Sequence, residues 1–166
     1  MPLTPFHLGP ALFFGLLLFS VIHLPTFLVA NVVIDLEPLF ALLFQLDYPL
    51  HGFFHSFLGG SIIAIALSFI MTRFDEGIHE IMRFFNLEQQ YSPRSIWFAS
   101  FSGVYIHVIL DSRLYTDIKP FFPLDVNPIL SGSMFAGFET YGCCLVLLIL
   151  GIGLYVYKQL NTKTRF

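Results

Sequence analysis

The chain has 166 residues, of which 56% are apolar and 11% charged, and its formal net charge is −3. About a quarter of the residues of a soluble domain are charged, so this composition excludes an ordinary water-soluble protein, and the slight negative charge gives no indication of nucleic-acid binding. Several apolar runs approach the ~20 residues that span a bilayer, which predicts an integral membrane protein with a single domain, residues 1–166.

Two short apolar runs open the chain. The first, residues 11–22, follows Pro10, which suits a first helical turn, and it stops before Pro25. The second starts near Thr26, the predicted N-cap, and Pro38 interrupts it before it continues to Phe44. Both runs are short for a full span, so we expect thin, tilted or broken helices.

The third run, residues 51–74, is long enough to span and begins with His51 and His55. In residues 75–90, apolar side chains alternate with charges at helical spacing, which predicts an amphipathic helix at the membrane interface.

The fourth run, residues 95–110, leads into His107 and Asp111, a loop follows over residues 112–133, and the fifth run covers residues 134–157. The predicted fold is therefore an all-α integral membrane bundle of about five transmembrane or membrane-embedded helices, with one further interfacial amphipathic helix.

Two pairs of residues have the side chains and the spacing of metal ligands. His51 and His55 are four residues apart, as are His107 and Asp111, and on a helix such positions share a face and can bind one metal ion. Ionisable groups inside a membrane bundle are costly unless they are paired or bind something. Two further residues, His7 and Asp35, are expected to complete the set of metal ligands or to bridge a second ion. The candidate metal ligands are His7, Asp35, His51, His55, His107 and Asp111.

Imidazole and carboxylate ligands favour zinc and also suit manganese or iron, in one or more ions. A bound divalent ion activates water for hydrolysis. The alternative is a set of buried histidines that hydrogen-bond to acids and hold the helices together.

Five other side chains are candidates for parts of the reaction. Asp117 and Glu37 are predicted to handle the proton as catalytic residues. Arg113 and Lys119 are predicted to hold a substrate phosphate, and Tyr115 to donate a proton or hydrogen bond to the substrate.

Four remaining groups have simpler predicted roles. His23 is expected to cap a helix, and His79, which lies among charged residues, to face solvent. Cys143 and Cys144 are adjacent within an apolar run, so we expect packing or lipid contact and no disulfide.

Four segments together resemble a known family: MPLTPFHLGP with His7, DLEPL from Asp35, LHGFFHS with His51 and His55, and YIHVILDS with His107 and Asp111. Their order resembles that of the membrane-bound metal-dependent hydrolases, also described as LexA-binding inner-membrane hydrolases. The resemblance implies a small protein of the cytoplasmic (inner) membrane of a bacterium or archaeon. His51 stands where many relatives have Arg, and Tyr115 where they often have His.

A fainter similarity is to the helical zinc phospholipase C and P1-nuclease group, which also uses an N-terminal ligand and a His-x3-Asp pair. That similarity implies a phosphoester substrate and more than one zinc ion.

Basic residues predict the orientation. By the positive-inside rule, the loop after the third run and the C-terminal tail lie in the cytoplasm, so with five spans the candidate ligands lie on the extracytoplasmic side. Arg113 and Lys119, in an outer loop, oppose this orientation. The residues that favour it are Arg73, Arg83, Arg94, Lys158, Lys163 and Arg165.

The function predicted from all of this is a membrane-bound metal-dependent hydrolase. Its expected partners are the lipid bilayer and a lipid or amphiphilic substrate with an ester or phosphoester bond, attacked by metal-activated water at the membrane surface. Two alternatives stay open: a di-iron redox membrane enzyme, and a non-enzymatic metal-binding or transport membrane protein.

Overall fold

The structure is a computed structural model and describes residues 6–163, with side chains up to residue 161. Within those residues it contains helices and no strands, so the all-α prediction is confirmed. The first five residues of the N-terminal motif, the Lys163 side chain and Arg165 lie outside the described residues. The α-helices are α1 Leu8–Leu17, α2 Leu24–Ala30, α3 Leu36–Leu43, α4 Phe57–Arg73, α5 Asp75–Phe84, α6 Pro93–Ser112 and α7 Ala136–Lys163, with 3₁₀ turns at Val33–Asp35 and Phe53–His55.

Helix α2 begins earlier than predicted. His23 occupies the N-cap position and Thr26 lies inside the first turn, so the assignment of Thr26 as N-cap was wrong. Pro25 explains the difference, because proline is well tolerated in a first helical turn, where its missing N–H is not needed. The Thr26 hydroxyl instead lies 2.7 Å from Nδ1 of His23.

The prediction that a helix begins at His51 was also wrong. Helix α4 begins at Phe57, and the Ser56 side chain caps it by accepting a hydrogen bond from the Gly59 N–H at 3.0 Å. His51 therefore lies in a loop and His55 at the end of a 3₁₀ turn, so the two histidines do not share a helical face. Serine is a strong N-cap residue, and its position sets the start of the helix.

Two helical stretches, Leu24–Leu43 and Ala136–Asn161, are long and apolar enough to cross a membrane. Helices α4 and α5 make a third candidate if they are taken as one span, and they are bent by 78° relative to each other. The described residues thus contain two or three candidate spans, which supports a membrane protein but does not confirm five spans. The amphipathic helix is present as α5 and is shorter than the predicted 75–90.

Helix α6 packs against both α2 and α4, and α1 packs against α7. A glycine lets α6 and α2 approach closely: a Cβ added to Gly103 would lie 2.6 Å from the Cβ of Ala30 and 3.1 Å from the carbonyl oxygen of Phe27. As a result, the end of α2 lies beside the middle of α6. The last turn of α6 and the entry to α4 complete one end of the bundle, where the candidate ligands lie.

Candidate metal centre

Four side chains from three parts of the chain form a group with metal-ligand character. One ligand atom from each of Asp35, His55, His107 and Asp111 lies within 4.8 Å of all the others. His55, His107 and Asp111 are buried, and the side chain of Asp35 is 11% exposed. His107 and Asp111 are one turn apart on α6, so their spacing on a helical face agrees with the sequence prediction. This buried group could bind a metal ion, whose identity the donors do not determine.

The break after α2 orients His107. Because α2 ends at Ala30 and the Asp35 N–H bonds to the Val32 carbonyl at 3.1 Å, the Asn31 carbonyl is left available. His107 donates its Nδ1–H to that carbonyl at 2.8 Å. In the neutral imidazole, Nε2 then carries the lone pair, and this atom lies 3.4 Å from Asp111 Oδ2 and 3.5 Å from Asp35 Oδ1. A backbone carbonyl on the far ring nitrogen is how proteins commonly fix the tautomer of a metal-binding histidine.

Glu37 orients His55 in the same way. His55 donates its Nδ1–H to Glu37 Oε2 at 2.7 Å, and its Nε2 lies 4.0 Å from Asp111 Oδ2. The other oxygen of Glu37 accepts hydrogen bonds from the Tyr48 hydroxyl at 2.9 Å and from the Phe54 N–H at 3.1 Å. Burial lowers the pKa of His55, which favours the neutral imidazole that a metal ion requires.

Several buried polar atoms in this group and beside it have no hydrogen-bond partner among the described residues. They are Nε2 of His55, Nε2 of His107, both ring nitrogens of His7 and both carboxylate oxygens of Asp111. A buried polar group without a partner costs roughly 1–3 kcal/mol, and more if it is charged. The donor set of imidazole nitrogens and carboxylate oxygens fits a divalent ion, which would satisfy Nε2 of His55, Nε2 of His107 and the Asp111 carboxylate. The alternative of purely structural histidines accounts for the His55–Glu37 contact but leaves the inward-facing atoms unpaired.

No protein family, curated protein or solved structure matches this chain. The resemblance to the membrane-bound metal-dependent hydrolases therefore stays a prediction. What is known of the site rests on its own geometry.

The two remaining predicted ligands lie beside the group of four. His7 is buried, its Nε2 lies 3.2 Å from Asp111 Oδ1, and its ring stacks on that of His107 with 4.0 Å between the centroids. The ring of His51 lies 4.9 Å from that of His55. The structure thus brings all six predicted ligands to one end of the bundle, although His7 and His51 are outside the group of four.

Asp117 contacts His51. The His51 backbone N–H donates to Asp117 Oδ2 at 3.3 Å, and Nδ1 of His51 lies 3.0 Å from the same oxygen. The Tyr115 ring lies 4.3 Å from the His51 ring, and its hydroxyl lies 3.1 Å from that of Tyr141. Burial, with the Tyr141 contact, raises the pKa of the Tyr115 hydroxyl, so this hydroxyl stays protonated.

Both predicted phosphate-binding residues have acidic partners. Arg113 donates to Glu139 at 2.6 Å, and Lys119 lies 3.0 Å from Asp125. All four side chains are at least two-fifths exposed. Their role in holding a substrate stays a prediction, and a substrate phosphate would compete with these carboxylates.

The sequence reasoning missed two groups at the site. Asn31 acts through its backbone carbonyl, which leaves no signal in the residue type. Tyr48 lies in a polar turn that carries no periodic pattern, yet it donates to Glu37 and accepts the Phe53 N–H at 2.8 Å. The sequence analysis named Glu37 as a catalytic candidate, but it did not predict the pairing of Glu37 with His55.

Proposed function

We propose that this protein is a membrane-bound metal-dependent hydrolase that cleaves an ester or phosphoester bond. The observation that carries the proposal is the convergence of two imidazole Nε2 atoms and the Asp111 carboxylate, all buried and without hydrogen-bond partners among the described residues. Their outer nitrogens are already held, by Glu37 for His55 and by the Asn31 carbonyl for His107. A pre-oriented set of this kind is typical of metal ligands.

The ligands in this proposal are Asp35, His55, His107 and Asp111, and the ion is a divalent one, zinc before manganese or iron. Such an ion supplies Lewis acidity, which brings the pKa of a coordinated water close to neutrality.

Asp117 is the better candidate for proton transfer than Glu37. Both oxygens of Glu37 accept hydrogen bonds and its side chain is only 6% exposed, so it serves to hold His55. The Asp117 side chain is 41% exposed and contacts His51, whose ring packs against that of His55. In this proposal, His51 and Asp117 carry a proton between the site and solvent.

The substrate is proposed to be a lipid or another amphiphile that reaches the site from the bilayer surface. Helix α4 begins beside His55 and runs for 17 residues to Arg73, which at 1.5 Å per residue separates the site from that arginine by about 25 Å. The site and Arg73 therefore lie near opposite membrane surfaces if α4 is embedded. With Arg73 on the cytoplasmic side by the positive-inside rule, the site then lies on the extracytoplasmic side, which is the side we propose for a five-helix protein of a bacterial or archaeal cytoplasmic membrane.

Metal content of the detergent-purified protein, carrying a tag without histidine, tests the proposal. Elemental mass spectrometry on the wild type is expected to find zinc or manganese, and His55→Ala and Asp111→Ala are expected to lose it. His79→Ala is the matched control, because His79 is exposed on α5, a helix that carries none of the candidate ligands. The loaded wild type is then expected to hydrolyse a nitrophenyl ester or a nitrophenyl phosphodiester in micelles, and the two variants to be inactive.

Each other outcome is decisive. A folded wild type that takes up no metal after reconstitution with zinc, manganese or iron would contradict the hydrolase proposal. The histidines would then serve only to hold the helices together. Iron at stoichiometric level, without hydrolysis, would favour the redox alternative. A metal-loaded protein with neither activity would favour a metal-binding or transport protein.

A further inference from the structure

We propose that an apolar groove beside the metal centre binds one hydrocarbon chain of a lipid substrate. The groove is a cavity of about 410 Å³ between α3, the loop before α4 and the α4 residue Ile63. This inference rests on the proposed function, since it names the part of the substrate that the protein recognises. It does not depend on which bond the protein cleaves.

The lining of the groove favours an apolar occupant. Among the described residues that line it, only Glu37 and Tyr48 are polar. Both oxygens of Glu37 already accept hydrogen bonds, and the Tyr48 hydroxyl donates to Glu37 and accepts the Phe53 N–H. The polar groups of the lining are thus engaged within the protein, whereas a hydrocarbon chain gains free energy from the apolar area that it buries.

One side of the groove borders the metal centre. Two of its lining residues, Ile34 and Phe54, directly precede the candidate ligands Asp35 and His55. Glu37 belongs both to the lining and to the contact that orients His55. A chain in the groove therefore brings the polar end of its lipid to the ligands, where the proposed hydrolysis takes place.

Another side of the groove opens at the protein surface. Leu36, Phe40 and Leu46 line the groove and are between 46% and 54% exposed. Helix α3 forms the second half of the candidate span Leu24–Leu43, so this surface faces the hydrocarbon of the bilayer if the span is embedded. A lipid can then enter the groove with its chain from within the bilayer.

The volume of the groove suits one chain. It lies at the lower end of the range of small-molecule pockets, about 300–1,000 Å³. A methylene group is close in size to a water molecule, whose share of liquid volume is about 30 Å³, so the groove holds about a dozen methylene groups. The occupant is therefore a single unbranched chain of about this length, or the first part of a longer one.

The probe for this inference is palmitic acid with a photoreactive diazirine halfway along its chain, added to the purified protein in detergent. Mass spectrometry is expected to find the label on residues 33–54, and excess unlabelled palmitic acid is expected to remove it. Leu46→Asp should reduce this labelling by about tenfold or more, because a charge in the groove opposes a hydrocarbon chain. Leu43→Asp is the matched control, since Leu43 is 66% exposed on α3 and does not line the groove.

The chain-length dependence of hydrolysis is the second measurement. For nitrophenyl esters below their micelle concentration, kcat/KM should rise about fourfold with each added methylene group until the groove is full. Ala41 lines the groove, so Ala41→Ile should narrow it and end this rise at a shorter chain. Circular dichroism and gel filtration show whether each variant is folded.

The failure of this inference and the failure of the proposed function give different results. Label that unlabelled palmitic acid does not remove, or that a folded Leu46→Asp protein retains in full, overturns the groove and leaves the hydrolase proposal standing. Hydrolysis at a rate independent of chain length does the same. Competable label on the groove of a protein that hydrolyses no ester supports chain binding while the proposed function fails.

Discussion

The Nδ1 atom of His55 lies 2.7 Å from Oε2 of Glu37, and this contact joins the segment before α4 to the first turn of α3. The two residues are 18 positions apart and lie on separate helical elements, so the contact does not come from a shared helical face. The contact fixes the tautomer of His55 and directs its Nε2 towards Asp111.

Removing the Glu37 carboxylate should weaken the metal centre without removing a ligand. We expect Glu37→Ala to lower metal affinity about 10–100-fold, the usual effect of losing the group that orients a histidine ligand. Glu37→Gln should lie closer to the wild type, because its amide oxygen can still accept the Nδ1–H bond. Isothermal titration with Zn²⁺ measures both, and Glu76→Ala, at an exposed acid on α5, is the control. Equal affinities for Glu37→Ala and the wild type would show that His55 needs no such support.

The close approach of α6 to α2 should not tolerate a methyl group. Gly103→Ala would place a Cβ 2.6 Å from that of Ala30 and 3.0 Å from Nδ2 of Asn31, so we expect a loss of about 1–3 kcal/mol in stability. To make room for the added methyl group, α2 and α6 would have to move apart. This movement should take the Asn31 carbonyl away from His107 and weaken metal binding.

Gly142→Ala on α7 is the matched control for that change. A Cβ there meets nothing within 4 Å, and alanine has the higher helix propensity, so this variant should be neutral or slightly stabilised. Thermal unfolding in one detergent compares the two. A Gly103→Ala protein as stable as Gly142→Ala would contradict the helix contact described here.

Metal should stabilise the folded protein. An ion that binds the folded state alone adds about 4 kcal/mol when its concentration is 1,000 times its Kd. We therefore expect Zn²⁺ to raise the Tm of the wild type, a chelator to reverse the rise, and Asp111→Ala to show neither effect. If Asp111→Ala is stabilised by zinc as much as the wild type, the ion binds elsewhere.

Stability should fall in acid because of His23. This residue is 2% exposed, and burial lowers the pKa of its imidazole from 6.5 to about 4. Between those values the unfolded chain binds a proton that the folded chain does not, so the contribution of the neutral ring is complete above pH 6.5 and is lost as the pH falls towards 4. The loss attributable to His23 should be at most about 3 kcal/mol.

Comparison with His23→Gln isolates this effect from other groups that titrate in the same range. Denaturant unfolding at several pH values should show the wild type losing more stability than the variant between pH 6.5 and 4. Parallel curves for the two proteins would mean that His23 is protonated as readily in the folded state as in the unfolded state.

Arg113 should bind a substrate phosphate more tightly once the Glu139 carboxylate is replaced by a neutral group. Glu139 lies 2.6 Å from its guanidinium, so Glu139→Gln is expected to lower the KM for a phosphodiester and Arg113→Ala to raise it, with kcat little changed. A neutral ester is the control substrate, and its KM should not respond. If the phosphodiester KM is the same in all three proteins, Arg113 does not touch the substrate.

The sequence alone predicted the class of the fold and the chemistry of the site. The low charge content and long apolar runs predicted helices and a membrane, because an apolar chain in lipid must satisfy its backbone internally. The His107–Asp111 spacing predicted a shared helical face, and that pair is one turn apart on α6. These inferences depend on local periodicity, which a sequence displays directly.

The same rule failed for His51 and His55, because Ser56 starts helix α4 after them. A spacing of four residues indicates a shared face only where a helix exists, and N-cap preferences decide where it begins. His55 lies close to Asp111 because of the tertiary fold and not because of helical periodicity.

Only the tertiary structure decided which atoms face the centre of the site. Glu37 holds His55 through a contact between α3 and the segment before α4. The Asn31 carbonyl holds His107 across 76 positions of sequence, and this contact arises from the packing of α6 against the broken end of α2. The orientation of each imidazole follows from those long-range contacts, because a histidine ring turns according to what binds its second nitrogen. Composition and spacing identify candidate ligands, and the fold determines the direction in which their side chains point.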